Sequence, residues 1–147
     1  LVNDAYYYNK IGNDLLSKKS YDEALLMYLK AISINSKEPM FYHNAGVCLM
    51  LKGESERAIS LFEHAIKIGI NLDETKYYLI KILFELERYE KVVNSSLPEK
   101  NFKIDAMILK AKAALRINKN EDVKKILNEL EILGYTSQET ELIQKMI

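Results

Sequence analysis

Cysteine occurs once in 147 residues, at Cys48, which excludes an intramolecular disulfide framework and a multi-cysteine zinc site and points to a reducing, cytoplasmic setting. Tryptophan is absent, and two prolines and five glycines are too few for the turns of a sheet-rich fold. No sign of charge predominates. Twenty-one Lys and Arg balance 21 Asp and Glu, so no global field draws the chain onto nucleic acid or an anionic membrane. Long apolar runs are missing as well: Lys, Glu or Asn interrupts each one well short of the roughly 20 residues that span a bilayer, which argues against membrane insertion. The opening Leu1-Val2-Asn3-Asp4 has no initiator methionine, basic segment or apolar segment, and is expected to be the start of an excised domain rather than a signal peptide.

What is present favours helix. Hydrophobic residues make up 48% and charged residues 29%, enough to fill a core, and Ala, Leu, Ile, Lys and Glu dominate. A shift of 34 residues aligns Tyr8 with Tyr42, Gly12 with Gly46, Leu15 with Leu49, Ala24 with Ala58, Tyr28 with Phe62 and Ala31 with Ala65. A second shift of 34 brings Leu83 and Val92 into register, and a third copy step of 31 brings in Ala114 and Val123. Within a unit the apolar residues recur at helical spacing on two stretches separated by a turn. Ser20-Tyr21-Asp22-Glu23 has the form of a capping box at that turn, and Pro39 suits the first position of a following helix. Pro98 cuts the third unit's second helix at or before Leu97, predicting an irregularity over residues 92–104.

The pattern of Tyr8, Ile11, Gly12 and Leu15 followed by Tyr21, Ala24, Tyr28 and Ala31 resembles the tetratricopeptide repeat. That resemblance implies an all-α, right-handed superhelix (an alpha-alpha solenoid) of about four helical hairpins plus a C-terminal helix. The chain is then a single domain, 1–147, with units at about 5–38, 39–72, 73–104 and 105–135 and a terminal helix at 136–147. Gly12 with Ala24, and Gly46 with Ala58, are expected to let the two helices of a unit approach closely. Gly134 ends the last hairpin, Thr136 or Ser137 starts the terminal helix, and Leu142, Ile143, Met146 and Ile147 form its apolar stripe.

The resemblance also implies a protein-binding role, with the first helix of each unit lining a concave groove. Position by position, unit one then presents Tyr6, Asn9, Lys10, Asn13, Leu16 and Ser17, and unit two presents Met40, His43, Asn44, Val47, Met50 and Leu51. Unit three presents Glu74, Tyr77, Tyr78, Lys81, Phe84 and Glu85, and unit four Asp105, Ile108, Leu109, Lys112, Leu115 and Arg116. Asn9, Asn13 and Asn44 could meet a peptide backbone as donor and acceptor, His43 a ligand, and Tyr77 and Tyr78 could anchor one. Lys81, Lys112 and Arg116 form either a basic strip for an acidic segment or a solvated face interleaved with Glu85 and Asp105. The carboxylate clamp with which some members hold Glu-Glu-Val-Asp tails is not matched, because Asn9, Glu74 and Tyr78 stand where basic residues are required.

For catalysis the residues offer little. His43 and His64 lie on different helices, no i+4 His or Cys accompanies either, and no phosphate-binding loop or nucleophile elbow occurs. Cys48 reads as a small core residue. The expectation is a non-catalytic scaffold without cofactor or metal that takes a protein or peptide partner. The alternatives are an accessory repeat domain of a larger enzyme, such as a bacterial glycosyltransferase, and self-association through the end faces.

Overall fold

The computed structural model describes residues 2–147, with side chains from residue 4 onward. Among the described residues there are nine α-helices and no strand, so the all-α expectation holds. None of these helices is long and apolar enough to cross a membrane. Contacts divide the chain into two compact units, Leu1–Asn71 and Leu72–Ile147.

Unit 1 is two helical hairpins, α1 (Val2–Ser17) with α2 (Tyr21–Ile34) and α3 (Pro39–Lys52) with α4 (Ser55–Lys67), and α2 also packs on α3. Ala5, Ala31 and Phe41 form one buried cluster flanked by Tyr8 and Ile32. The small position in each hairpin meets a ring rather than another small residue. A Cβ on Gly12 would come within 2.6 Å of Tyr28 Cε1, and one on Gly46 within 2.6 Å of Phe62 Cε1. Both rings are fully buried, as are Ala24 and Ala58 one turn before them. Cys48 is buried, its thiol donating to the Tyr21 carbonyl at 3.0 Å, and burial raises its pKa.

Unit 2 comprises α5 (Asp73–Glu85), α6 (Tyr89–Asn94), α7 (Lys103–Arg116), α8 (Asn120–Ile132) and α9 (Gln138–Lys145). Its core gathers Met107, Ile108, Ala111, Val123, Leu127 and Leu130 of α7 and α8 with Ile143 of α9. Helix α6 has only six residues and stops before Pro98, as the backbone restriction ahead of proline requires. The terminal stripe divides: Ile143 is buried and Ile147 packs on the core, whereas Leu142 and Met146 are 60% and 68% exposed.

The turn inside each hairpin is closed by main chain alone. After α1, Lys19 adopts φ 62°, its N–H bonds to Leu16 O and that of Ser20 to Leu15 O, the paired bonds of a left-handed C-cap. The same geometry returns at Gly53, Glu87 and Asn118, with Leu49, Leu83 and Ala114 as the corresponding acceptors. These positions are separated by the same 34, 34 and 31 residues that align the sequence. Here the expected Ser20 capping box fails: Ser20 makes no side-chain cap bond, and its N–H already bonds to Leu15 O, so Glu23 has no donor to reach back for. The box forms instead at α9, where Ser137 Oγ accepts from Thr140 N at 3.2 Å and Thr140 Oγ1 accepts from Ser137 N at 2.9 Å.

Candidate functional site

In unit 1 each asparagine expected to face a ligand has a side-chain partner within the unit. Asn44 Nδ2 donates to Asn9 Oδ1 at 2.8 Å, joining α1 to α3. Asn13 Oδ1 accepts the Tyr28 hydroxyl at 2.7 Å, satisfying a buried phenol whose pKa is raised by burial. One shift of 34 residues turns this pair into Val47 and Phe62, so acceptor and hydroxyl disappear together. His43 corrects the sequence reading. It is only 7% exposed, with its ring 5.8 Å from that of Phe62, and it supports the core rather than presenting a ligand contact.

Unit 2 holds a concave site with a volume of about 270 Å³, below the roughly 300–1,000 Å³ of small-molecule pockets and suited to individual side chains. From α5 come Tyr77, Lys81, Phe84 and Glu85, and from α7 come Asp105, Ile108, Leu109 and Lys112. Each set recurs at three- and four-residue spacing and so shares one helix face. Phe84, Ile108 and Leu109 supply apolar surface, Tyr77 adds a ring with a hydroxyl, and Lys81, Glu85, Asp105 and Lys112 bring charge to it. Glu139 of α9 completes the lining and forms an ion pair with Lys112.

One edge of the cavity is fixed by an unusual loop. Asp73, at the start of α5, accepts the backbone N–H groups of Glu99 at 2.9 Å, Lys100 at 3.1 Å and Asn101 at 2.9 Å. These bonds, led by that from Glu99, hold its carboxyl below the usual range. The loop then turns through Phe102 at φ 62° and stacks that ring on Tyr77, with centroids 4.6 Å apart and planes 7° from parallel. On the far side of α7, the Lys110 ammonium donates to Ser95 O at 2.6 Å, and its burial lowers its pKa.

Of the two readings of Lys81, Lys112 and Arg116, the interleaved charged face is the one that the contacts support. Lys112 is neutralised by Glu139, and the Arg116 guanidinium lies 5.7 Å from the Tyr89 ring centroid, away from the cavity. Lys81 remains exposed on the lining. Tyr78 is half-buried beside Tyr77, at 6.1 Å between centroids, and does not line the cavity. The structure thus brings Tyr77, Lys81 and Lys112 together and leaves Tyr78 and Arg116 outside. Glu139 was missed, although carrying the 34-residue step onward from Asp105 lands on it. Phe102 had no such signal, because its position depends on a left-handed backbone conformation. Among the described residues, no cluster of three or more His, Cys, Asp or Glu converges as a metal site needs.

Comparison with known proteins follows the repeat. The family pattern described as "Tetratricopeptide repeat" matches residues 5–38 and 41–68. The chain is 30% identical over 84 residues to the small glutamine-rich tetratricopeptide repeat-containing protein 2 of Mycosarcoma maydis. The aligned part covers 57% of this chain but only 24% of that relative, so the chain spans about a quarter of its length. Among solved structures, MamA (41-end) from Desulfovibrio magneticus RS-1 superposes with a TM-score of 0.75 at 18% identity, covering 97% of this chain and 83% of that one. YrrB, described as a TPR protein with an unusual peptide-binding site, gives a TM-score of 0.72 at 22% identity, covering 85% and 66% of the two chains. At these identities the structural likeness concerns the fold.

Proposed function

We propose, from the tetratricopeptide repeats matched over residues 5–38 and 41–68, that the chain is a non-catalytic interaction module that binds a peptide or protein segment in the cavity between α5 and α7. The observation that carries this reading is the joining of an apolar floor, Phe84, Ile108 and Leu109, to Tyr77, Lys81 and Lys112 in a concavity sized for side chains. Apolar anchors inserted among a few polar groups are how short segments gain both affinity and register. YrrB offers a precedent for peptide binding in this fold.

A display library of random linear peptides, selected on the immobilised full chain, tests the reading. Enriched peptides are then titrated by fluorescence anisotropy against wild type and Phe84→Ala with Leu109→Ala. Removing two half-buried contacts is expected to weaken binding at least tenfold, since each truncated anchor contributes about 1 kcal/mol or more. Equal affinity for both proteins would dismiss the cavity as the site.

A second reading, self-association, draws on the exposed Leu142 and Met146 of α9. Sedimentation velocity over a wide concentration range is the check, and a single concentration-independent monomer would remove it.

A further inference from the structure

We propose that the cavity of unit 2 selects a basic segment, one in which a bulky apolar side chain is flanked by lysine or arginine. The inference rests on the reading of this cavity as a peptide site and adds the chemistry of what enters it.

The lining carries three carboxylates, Glu85, Asp105 and Glu139, against two ammonium groups, Lys81 and Lys112. One of each is removed from the balance by the ion pair between Lys112 and Glu139. Among the described residues, no cation lies within ion-pair distance of Glu85 or Asp105. The charge left for a ligand is two carboxylates on opposing helices and a single exposed ammonium. A guanidinium or ammonium on the incoming chain could meet Glu85 on α5 or Asp105 on α7 while its neighbour fills the floor of Phe84, Ile108 and Leu109. An acidic segment would face those same carboxylates with only Lys81 in compensation.

Glu139 acts as a selectivity residue in this scheme, because α9 brings it against Lys112 and cancels the cation that would otherwise attract acidic ligands. The Ser137–Thr140 box anchors the start of that helix and so sets the carboxylate in place. Removing the charge at Glu139, with no change in side-chain shape, should release Lys112 and move the preference toward acid.

Three fluorescein-labelled Gly/Ser peptides, with central Arg-Phe-Arg, Gln-Phe-Gln or Glu-Phe-Glu, provide the test by anisotropy titration of the full chain at low ionic strength. The basic peptide is expected to bind roughly tenfold more tightly than the acidic one, a gap that should narrow in about 1 M salt as screening shortens the range of charge. Asp105→Asn with Glu85→Gln should remove most of that gap, and a circular dichroism spectrum and thermal midpoint matching wild type show that the variant is folded. Glu139→Gln should shift the ratio several-fold toward the acidic peptide. Binding of the neutral peptide with an absent or reversed charge preference would overturn this inference and leave the peptide site standing. Failure of all three peptides to bind would overturn both.

Discussion

Replacing Asn13 by valine leaves the Tyr28 hydroxyl without its acceptor inside the protein. Tyr28 is 0% exposed and its hydroxyl donates to Asn13 Oδ1 at 2.7 Å; Asn13 itself lies at the surface, so a replacement water has to enter at the position of the lost side chain. A buried, unsatisfied hydroxyl costs about 1–3 kcal/mol, whereas Tyr28→Phe, which removes donor and need together, should cost only about 0.5–1.5 kcal/mol. The second repeat supplies the combination that works without the bond, Val47 with Phe62. Asn13→Val with Tyr28→Phe should therefore lie within about 1 kcal/mol of wild type, and its cost should fall below the sum of the two single changes by more than the roughly 0.3–0.5 kcal/mol within which independent sites add. Urea unfolding followed by circular dichroism measures all four proteins. Strictly additive costs would refute the reasoning, for they would mean that the hydroxyl finds another partner when Asn13 is gone.

Two further outcomes follow from other parts of the fold. Ser137→Ala should lower stability by about 1 kcal/mol by removing a formed cap, whereas Ser20→Ala should change the thermal midpoint little, because Ser20 makes no cap bond; equal effects in thermal melts would contradict this contrast. Asp73 has a depressed folded-state pKa, so its contribution is present above the ordinary carboxylate value of about 4 and is lost as pH falls through the lower folded value. Asp73→Asn should accordingly melt earlier than wild type near neutrality, with the difference closing below about pH 4; a gap unchanged in acid would exclude the charged clamp as its cause.

The repeat was legible because it is written in residues whose roles are local. Leu15, Leu49, Leu83 and Ala114 align in sequence and reappear as the acceptors of the hairpin turns. The Pro39 start of α3 and the left-handed Gly134 were legible for the same reason. Side-chain partners across helices were harder to read. His43 follows the groove spacing, yet it is drawn into the core beside Phe62, and spacing alone does not tell that Asn9 bonds to Asn44 and that the exposed Asn13 bonds to Tyr28. The cavity was half legible. The family resemblance placed α5 and α7 residues along it, but the charge balance depends on Glu139 arriving from a third helix, and positions within α5 and α7 alone cannot supply that contact.

The ring seated over Gly12, and its counterpart over Gly46, act as keys between paired rods. Sliding one rod by a turn would set Leu16 or Met50 where the glycine stands, against an aromatic edge, so neither hairpin can creep along its axis to suit a visitor. Any accommodation must come from side chains and from the joints between hairpins.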